Sequence, residues 1–81
     1  MNKILENKNN VIVLQDDNNN VYLYSYTSLV LIKNKAGEVT INKKYYKFSK
    51  TTTKHINNFL ELNSKEVEER IKSGKIKLVE F

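Results

Sequence analysis

The sequence contains no cysteine, no proline and no tryptophan, and it has only two glycines and one histidine. The absence of cysteine excludes disulfides, thiol catalysis and Cys-ligated zinc. Two glycines are too few for a Gly-rich phosphate-binding loop. No apolar run approaches the roughly 18 residues that a membrane span requires, and the first residues lack the apolar core of a signal peptide. We therefore expect a cytoplasmic protein with no membrane partner.

The chain has 81 residues and a mass of 9.5 kDa, so residues 1–81 are expected to form a single domain. A chain of this size buries only roughly 60–65% of its unfolded surface, so its core is small. That size leaves little room for an elaborate active site.

The formal net charge is +5, from 14 Lys and Arg against nine Asp and Glu. The excess is concentrated in residues 33–54, where seven lysines face one acid, Glu38. Such a segment can attract an acidic protein or a phosphate backbone, and it can also be a solvated surface.

The hydrophobic pattern predicts five strands, which are short apolar runs bounded by turn residues. They are strands over 11–14, 21–26, 29–32, 38–42 and 75–81. Turns are predicted at 16–20 and at 34–37, whereas 26–28 reads as a bend or bulge and residues 1–10 as loosely ordered. The alternation in 21–26 places Tyr22, Tyr24 and Tyr26 on one face.

Two helices are predicted between the fourth and fifth of these strands, over about 52–62 and from about 64 to 73. Thr51 or Thr52 is expected to cap the first helix. Asn63 is expected to cap the second, with Glu66 at the capping-box position.

The order β-β-β-β-α-α-β predicts an α+β fold, with a small antiparallel sheet packed against two short helices. The predicted core consists of apolar positions on the inward faces of these elements. They are Val11, Val13, Leu23, Leu29, Leu31, Val39, Ile41, Phe48, Ile56, Phe59, Leu60, Val67, Ile71, Ile76 and Leu78.

The sequence offers little catalytic or metal-binding chemistry. His55 has no acid within five residues to balance it, and residues 16–20 lack the spaced acids of a calcium loop. We expect no catalytic residue, no metal and no cofactor, and we expect that the protein is not an enzyme.

Tyrosines and lysines form the most informative cluster. Tyrosine is favoured at protein interfaces, aromatic rings with lysines can bind single-stranded nucleic acid, and tyrosines can also be half-buried on a small sheet. The candidate binding residues, for protein or nucleic acid, are Tyr22, Tyr24, Tyr26, Lys43, Lys44, Tyr45, Tyr46, Lys47, Lys50 and Lys54.

Residues 46–60 resemble a motif of small phage and mobile-element proteins of low-GC bacteria, largely a domain of unknown function. The motif reads Tyr-x-Tyr-Ser-x-Thr-Thr-x-Lys-His-x-x-x-Phe-Leu. The matching residues are Tyr46, Ser49, Thr51, Thr52, Lys54, His55, Phe59 and Leu60, with Tyr24-Ser-Tyr26 and 29–32 upstream. Phe48 stands where the motif has tyrosine, so a role for that hydroxyl does not carry over.

The resemblance implies an accessory protein of a phage or mobile element. Proteins of this size class include inhibitors of host defence, anti-CRISPR proteins among them. We therefore expect a non-enzymatic protein that inhibits or modulates a host protein, such as a CRISPR-type or other defence nuclease complex. The alternative is a small nucleic-acid-binding protein that uses the basic segment 43–54.

Overall fold

The structure is a computed structural model that describes residues 2–81. These residues form six strands and two helices, in the order β1 to β5, α1, α2, β6. The elements are β1 Lys3–Lys8, β2 Val11–Gln15, β3 Val21–Ser25, β4 Ser28–Lys33, β5 Val39–Asn42, α1 Lys50–Leu60, α2 Ser64–Lys72 and β6 Ile76–Val79. The predicted α+β class is confirmed. None of the helices in this part of the chain is long and apolar enough to span a membrane.

The sheet is mixed, which corrects the prediction of a purely antiparallel sheet. Its strands follow chain order from β1 to β6, and each neighbouring pair is antiparallel except the last. β6 runs parallel to β5 because α1 and α2 carry the chain back across the sheet before β6 begins. A parallel pair requires such a crossover, whereas an antiparallel pair needs only a short turn.

Lys3–Lys8, within the segment 1–10 that was expected to be loosely ordered, form the strand β1; residue 1 lies outside the described residues. β1 pairs with β2, and the connecting residues Asn9 and Asn10 take positive φ values of 54° and 64°. Asparagine tolerates this conformation, which suits a two-residue hairpin turn. Every residue of β1 is exposed, so the strand carries no hydrophobic pattern that sequence reasoning could detect.

The segment 26–28, expected to be a bend or bulge, contains a tight turn formed by Tyr26 and Thr27. Ser25 pairs with Ser28 across it, and Tyr26 takes a φ of 59°. The irregularity lies further along β4, because Leu23 pairs with Leu31 and Tyr24 pairs with Leu29. Val30 is therefore an extra residue in the ladder, and it is fully buried although the core prediction omitted it.

The core lies between one face of the sheet and the two helices. Val13, Leu23, Leu31 and Ile41 form a row of directly paired residues across β2 to β5. Ile56 of α1, Val67 of α2 and Ile76 of β6 join the same buried cluster. Phe48 is a wrong core prediction: it is 66% exposed and contacts the Tyr45 ring edge-on in the turn before α1.

Side-chain caps fix the starts of both helices. Ser49 caps α1 by accepting a hydrogen bond from the Thr52 N–H at 3.1 Å, so the prediction of Thr51 or Thr52 as the cap was wrong. The chain enters α1 earlier than expected because Ser49 takes the extended conformation that a cap requires. Asn63 caps α2 as predicted: it accepts from the Glu66 N–H at 2.8 Å, and Glu66 accepts from the Asn63 N–H at 3.0 Å.

Candidate binding surfaces

One face of the sheet lies away from both helices. Its central part, here called the open face, consists of residues that stand directly opposite one another on β2, β3 and β4. They are Ile12, Leu14, Tyr22, Tyr24, Leu29 and Ile32. Because directly opposed residues share a face of the sheet, these six side chains form one continuous patch. All six are partly exposed, whereas Leu23 between the two tyrosines is fully buried on the helix side.

The Tyr22 hydroxyl donates a 2.7 Å hydrogen bond to Asp16 Oδ2. Asp16 also organises the β2–β3 turn, since its Oδ1 accepts from the N–H groups of Asn18 and Asn20, each at 2.9 Å. The bond from Tyr22 is the main reason that the pKa of Asp16 is lowered. The same bond raises the pKa of Tyr22, because it stabilises the neutral phenol beside a carboxylate.

The open face is nearly free of positive charge. Ile32 pairs with Thr40 on β5, and Thr40 pairs with Lys77 on β6 at the far edge of the sheet. Lys77 is therefore the first cation along this row of paired residues. Lys43 and Lys44 lie in the turn that follows β5. Lys47, Lys50 and Lys54 line a shallow depression of about 650 Å³ beside α1, on the helix side.

The structure therefore separates the ten predicted binding residues into different surfaces. Only Tyr22 and Tyr24 lie on the open face. Tyr26 lies in the β3–β4 turn, so it does not share their face as predicted. Tyr45 and Tyr46 are half-buried and pack against the core.

Lysines of the basic segment interact with neighbouring aromatic and acidic side chains. The ammonium groups of Lys44 and Lys47 lie 5.6 and 5.5 Å from the ring centroids of Tyr45 and Tyr46. Lys47 is also 3.8 Å from Glu68, which in turn lies 3.3 Å from Lys72. The hydrogen bond from Lys72 is the main cause that lowers the pKa of Glu68, and the charge of Lys47 adds to it.

Sequence reasoning missed a hydroxyl–imidazole network beneath α1. Ser49 Oγ donates to Thr52 Oγ1 at 3.1 Å, and Thr52 Oγ1 lies 3.5 Å from Ser25 Oγ. Ser25 Oγ in turn shares a 2.7 Å hydrogen bond with Nδ1 of His55. Ser25 is thirty residues from His55 in the chain, and its only signal was its place in the upstream part of the phage-protein motif.

The Ser25–His55 pair joins β3 to α1. Ser25 is only 3% exposed and Thr52 only 5%, so the hydroxyls are enclosed between the sheet and the helix. The ring of Tyr26 lies 6.0 Å from the imidazole ring. The pair therefore acts as a polar link between β3 and α1.

The residues that the structure describes include no group of three or more His, Asp or Glu placed to hold a metal ion. The geometry thus defines a small α+β domain, with a mixed sheet covered by helices on one face and presenting tyrosines on the other. The chain belongs to the family of unknown function DUF8033, whose model matches residues 1–76. No curated protein and no solved structure matches it.

Proposed function

We propose that this chain is a non-enzymatic binding protein that docks on an apolar patch of a partner protein through its open face. The observation that carries the proposal is the continuous patch around Tyr22 and Tyr24. Both tyrosines are partly exposed and stand among aliphatic side chains. Large aromatic residues in such a setting supply most of the affinity at protein interfaces.

The composition of the open face determines the chemistry of the partner. Its six residues carry no charge, and the nearest acid, Asp16, already accepts a hydrogen bond from Tyr22. A matching surface on the partner is therefore apolar at its centre. Nucleic acid fits this face poorly, because the phosphates would meet few cations there.

The origin and target that we propose rest on the resemblance to phage and mobile-element proteins. In this proposal the chain acts in the cytoplasm of a bacterial host, where it inhibits or modulates a host protein. A CRISPR-type or other defence nuclease complex is the target class that the resemblance suggests. The apolar and aromatic residues of the open face support the docking surface, whereas the target itself must be identified. The first experiment does this.

That experiment is affinity capture from host lysate with the wild type and two variants, each with and without nuclease treatment. Tyr24→Asp places a charge in the centre of the open face, and Lys50→Glu inverts a charge on the other side of the molecule. We expect one host protein to be retained by the wild type and by Lys50→Glu after nuclease treatment, and to be lost with Tyr24→Asp. Loss on nuclease treatment, or equal retention by all three, would contradict the proposal.

A circular dichroism spectrum of Tyr24→Asp must match that of the wild type for the comparison to hold; if it does not, Tyr24→Ala replaces it. Sedimentation at several concentrations provides a second control. Self-association that Tyr24→Asp abolishes would show that a second copy, rather than a host protein, covers the face.

A second candidate function is binding of single-stranded nucleic acid in the depression beside α1. Lys47, Lys50 and Lys54 converge there, although Lys47 is also near Glu68. Titration with labelled oligonucleotides at increasing salt tests this function. Binding would give a log–log slope of roughly −0.7 per phosphate contact, and changing the three lysines to Glu would abolish it.

A further inference from the structure

A cleft on the helix side of the sheet lies between the β1–β2 hairpin and α1. Its volume is about 570 Å³, which is in the range of small-molecule sites in proteins. Val11, Val13 and Phe59 contribute an apolar lining. The cleft does not include the open face, since these side chains belong to the core side of the sheet.

The charged residues in the lining of the cleft give it a net positive charge. Lys8 comes from the end of β1, and Lys54 comes from α1, so cations flank the cleft on two sides. Glu6 is the one acid in the lining. Two ammonium groups against one carboxylate favour an anion in the space between them.

His55 also lines the cleft, and its position is fixed by the core. Its Nδ1 is held by the buried Ser25 hydroxyl at 2.7 Å, which leaves Nε2 as the remaining polar atom of the ring. A ring held in this way loses little conformational freedom when it binds a ligand. The hydroxyl–imidazole network therefore holds Nε2 at the edge of an apolar lining, where it donates to an anion in the tautomer whose Nδ1 accepts from the Ser25 hydroxyl.

We propose that this cleft binds a small organic anion with an apolar body. The anionic group lies among Lys8, Lys54 and His55, and the body lies against Val11, Val13 and Phe59. This site is separate from the open face, so it would give the protein a small-molecule ligand in addition to its protein partner. A phosphate, a carboxylate or a sulfonate satisfies the same donors.

The probe for this site is 1-anilinonaphthalene-8-sulfonate, compared with neutral N-phenyl-1-naphthylamine, which lacks the sulfonate. Both are titrated into ¹⁵N-labelled protein, and amide shifts and fluorescence are followed. We expect the sulfonate probe to shift the amide signals of residues 8–9 and 54–59 in a saturable way. The neutral probe should bind about tenfold more weakly. The Lys54→Gln variant should weaken binding of the sulfonate probe by about tenfold.

Lys50→Gln is the matched control, because Lys50 lies on the same helix but does not line the cleft. It should leave the affinity of the sulfonate probe within about twofold of the wild type. Equal affinities for the two probes would overturn the proposed anion site, as would equal effects of the two Lys variants. Shifts confined to the open face, or no saturation at millimolar probe, would also overturn it.

Discussion

The hydroxyl of Tyr22 donates a 2.7 Å hydrogen bond to the carboxylate of Asp16, and this bond joins the open face to the turn that closes the β2–β3 hairpin. Asp16 is held in turn by backbone N–H groups of the same turn. Tyr22 is therefore fixed before any partner arrives. A side chain that is already ordered pays less conformational entropy on binding, which suits an interface anchor.

Tyr22→Phe should destabilise the protein in a pH-dependent way. The lowered pKa of Asp16 means that its hydrogen bonds stabilise the fold above the ordinary Asp pKa, and that this contribution is lost as the pH falls below about 4. The urea midpoint of Tyr22→Phe should therefore lie below that of the wild type at pH 6, with a smaller difference at pH 3. Tyr24→Phe is the control, and an equally pH-dependent difference in that variant would contradict the role of Asp16.

Ser25→Ala should cost about 1–3 kcal/mol of unfolding free energy, because it removes the partner of a ring nitrogen beneath α1. Ser28→Ala, at the paired position across the β3–β4 turn, provides the control and should change stability by less than about 0.5 kcal/mol. Denaturant unfolding monitored by circular dichroism measures both. Similar losses in the two variants would mean that the Ser25–His55 bond contributes nothing specific.

Ser49→Ala should cost about 1 kcal/mol, because its hydroxyl caps the Thr52 N–H and also donates to the Thr52 side chain. Thr51 is exposed on the first turn of α1, so Thr51→Ala should be nearly neutral. Thermal and urea unfolding of the two variants distinguish the roles of these hydroxyls. A larger loss in Thr51→Ala would show that the helix is capped as the sequence predicted.

Glu61→Gly should stabilise the protein by about 0.5–1 kcal/mol. Glu61 ends α1 in the left-handed region, with φ 57° and ψ 38°, where glycine is favoured over residues with a side chain. Glu69→Gly, in the interior of α2, should instead destabilise by about 1 kcal/mol. Urea unfolding gives both values. A loss of stability in Glu61→Gly would show that the left-handed conformation of Glu61 does not cost the wild type stability.

The parts of the fold that were predictable are those with a local chemical signal. Asn63 and Glu66 form the capping box that their spacing indicates, and residues 34–37 form the predicted turn, in which Gly37 takes a positive φ of 88°. The alternation of 21–26 indicated that its residues face two ways, and Leu23 was predicted as its core position. The structure places Leu23 in the core and Tyr22 and Tyr24 outside it.

The parts that were not predictable depend on distant contacts or on backbone pairing alone. β1 buries no side chain, so only its pairing with β2 makes it a strand. The parallel pairing of β6 depends on the path of two helices, which no local pattern encodes. For the candidate sites, the Ser25–His55 bond links residues thirty positions apart, and the fold places Tyr22 and Tyr24 on a different surface from Lys47, Lys50 and Lys54.

Binding of a protein partner to the open face is best tested by the dissociation constant of the captured partner. It is determined by isothermal titration with the wild type, Tyr24→Ala and Lys50→Ala. Tyr24→Ala should raise the dissociation constant by about 30-fold or more, as expected for an aromatic hot spot, while Lys50→Ala should change it by less than about threefold. A larger effect of Lys50→Ala than of Tyr24→Ala would instead place the binding surface on the basic side, and the open face would not be the docking surface.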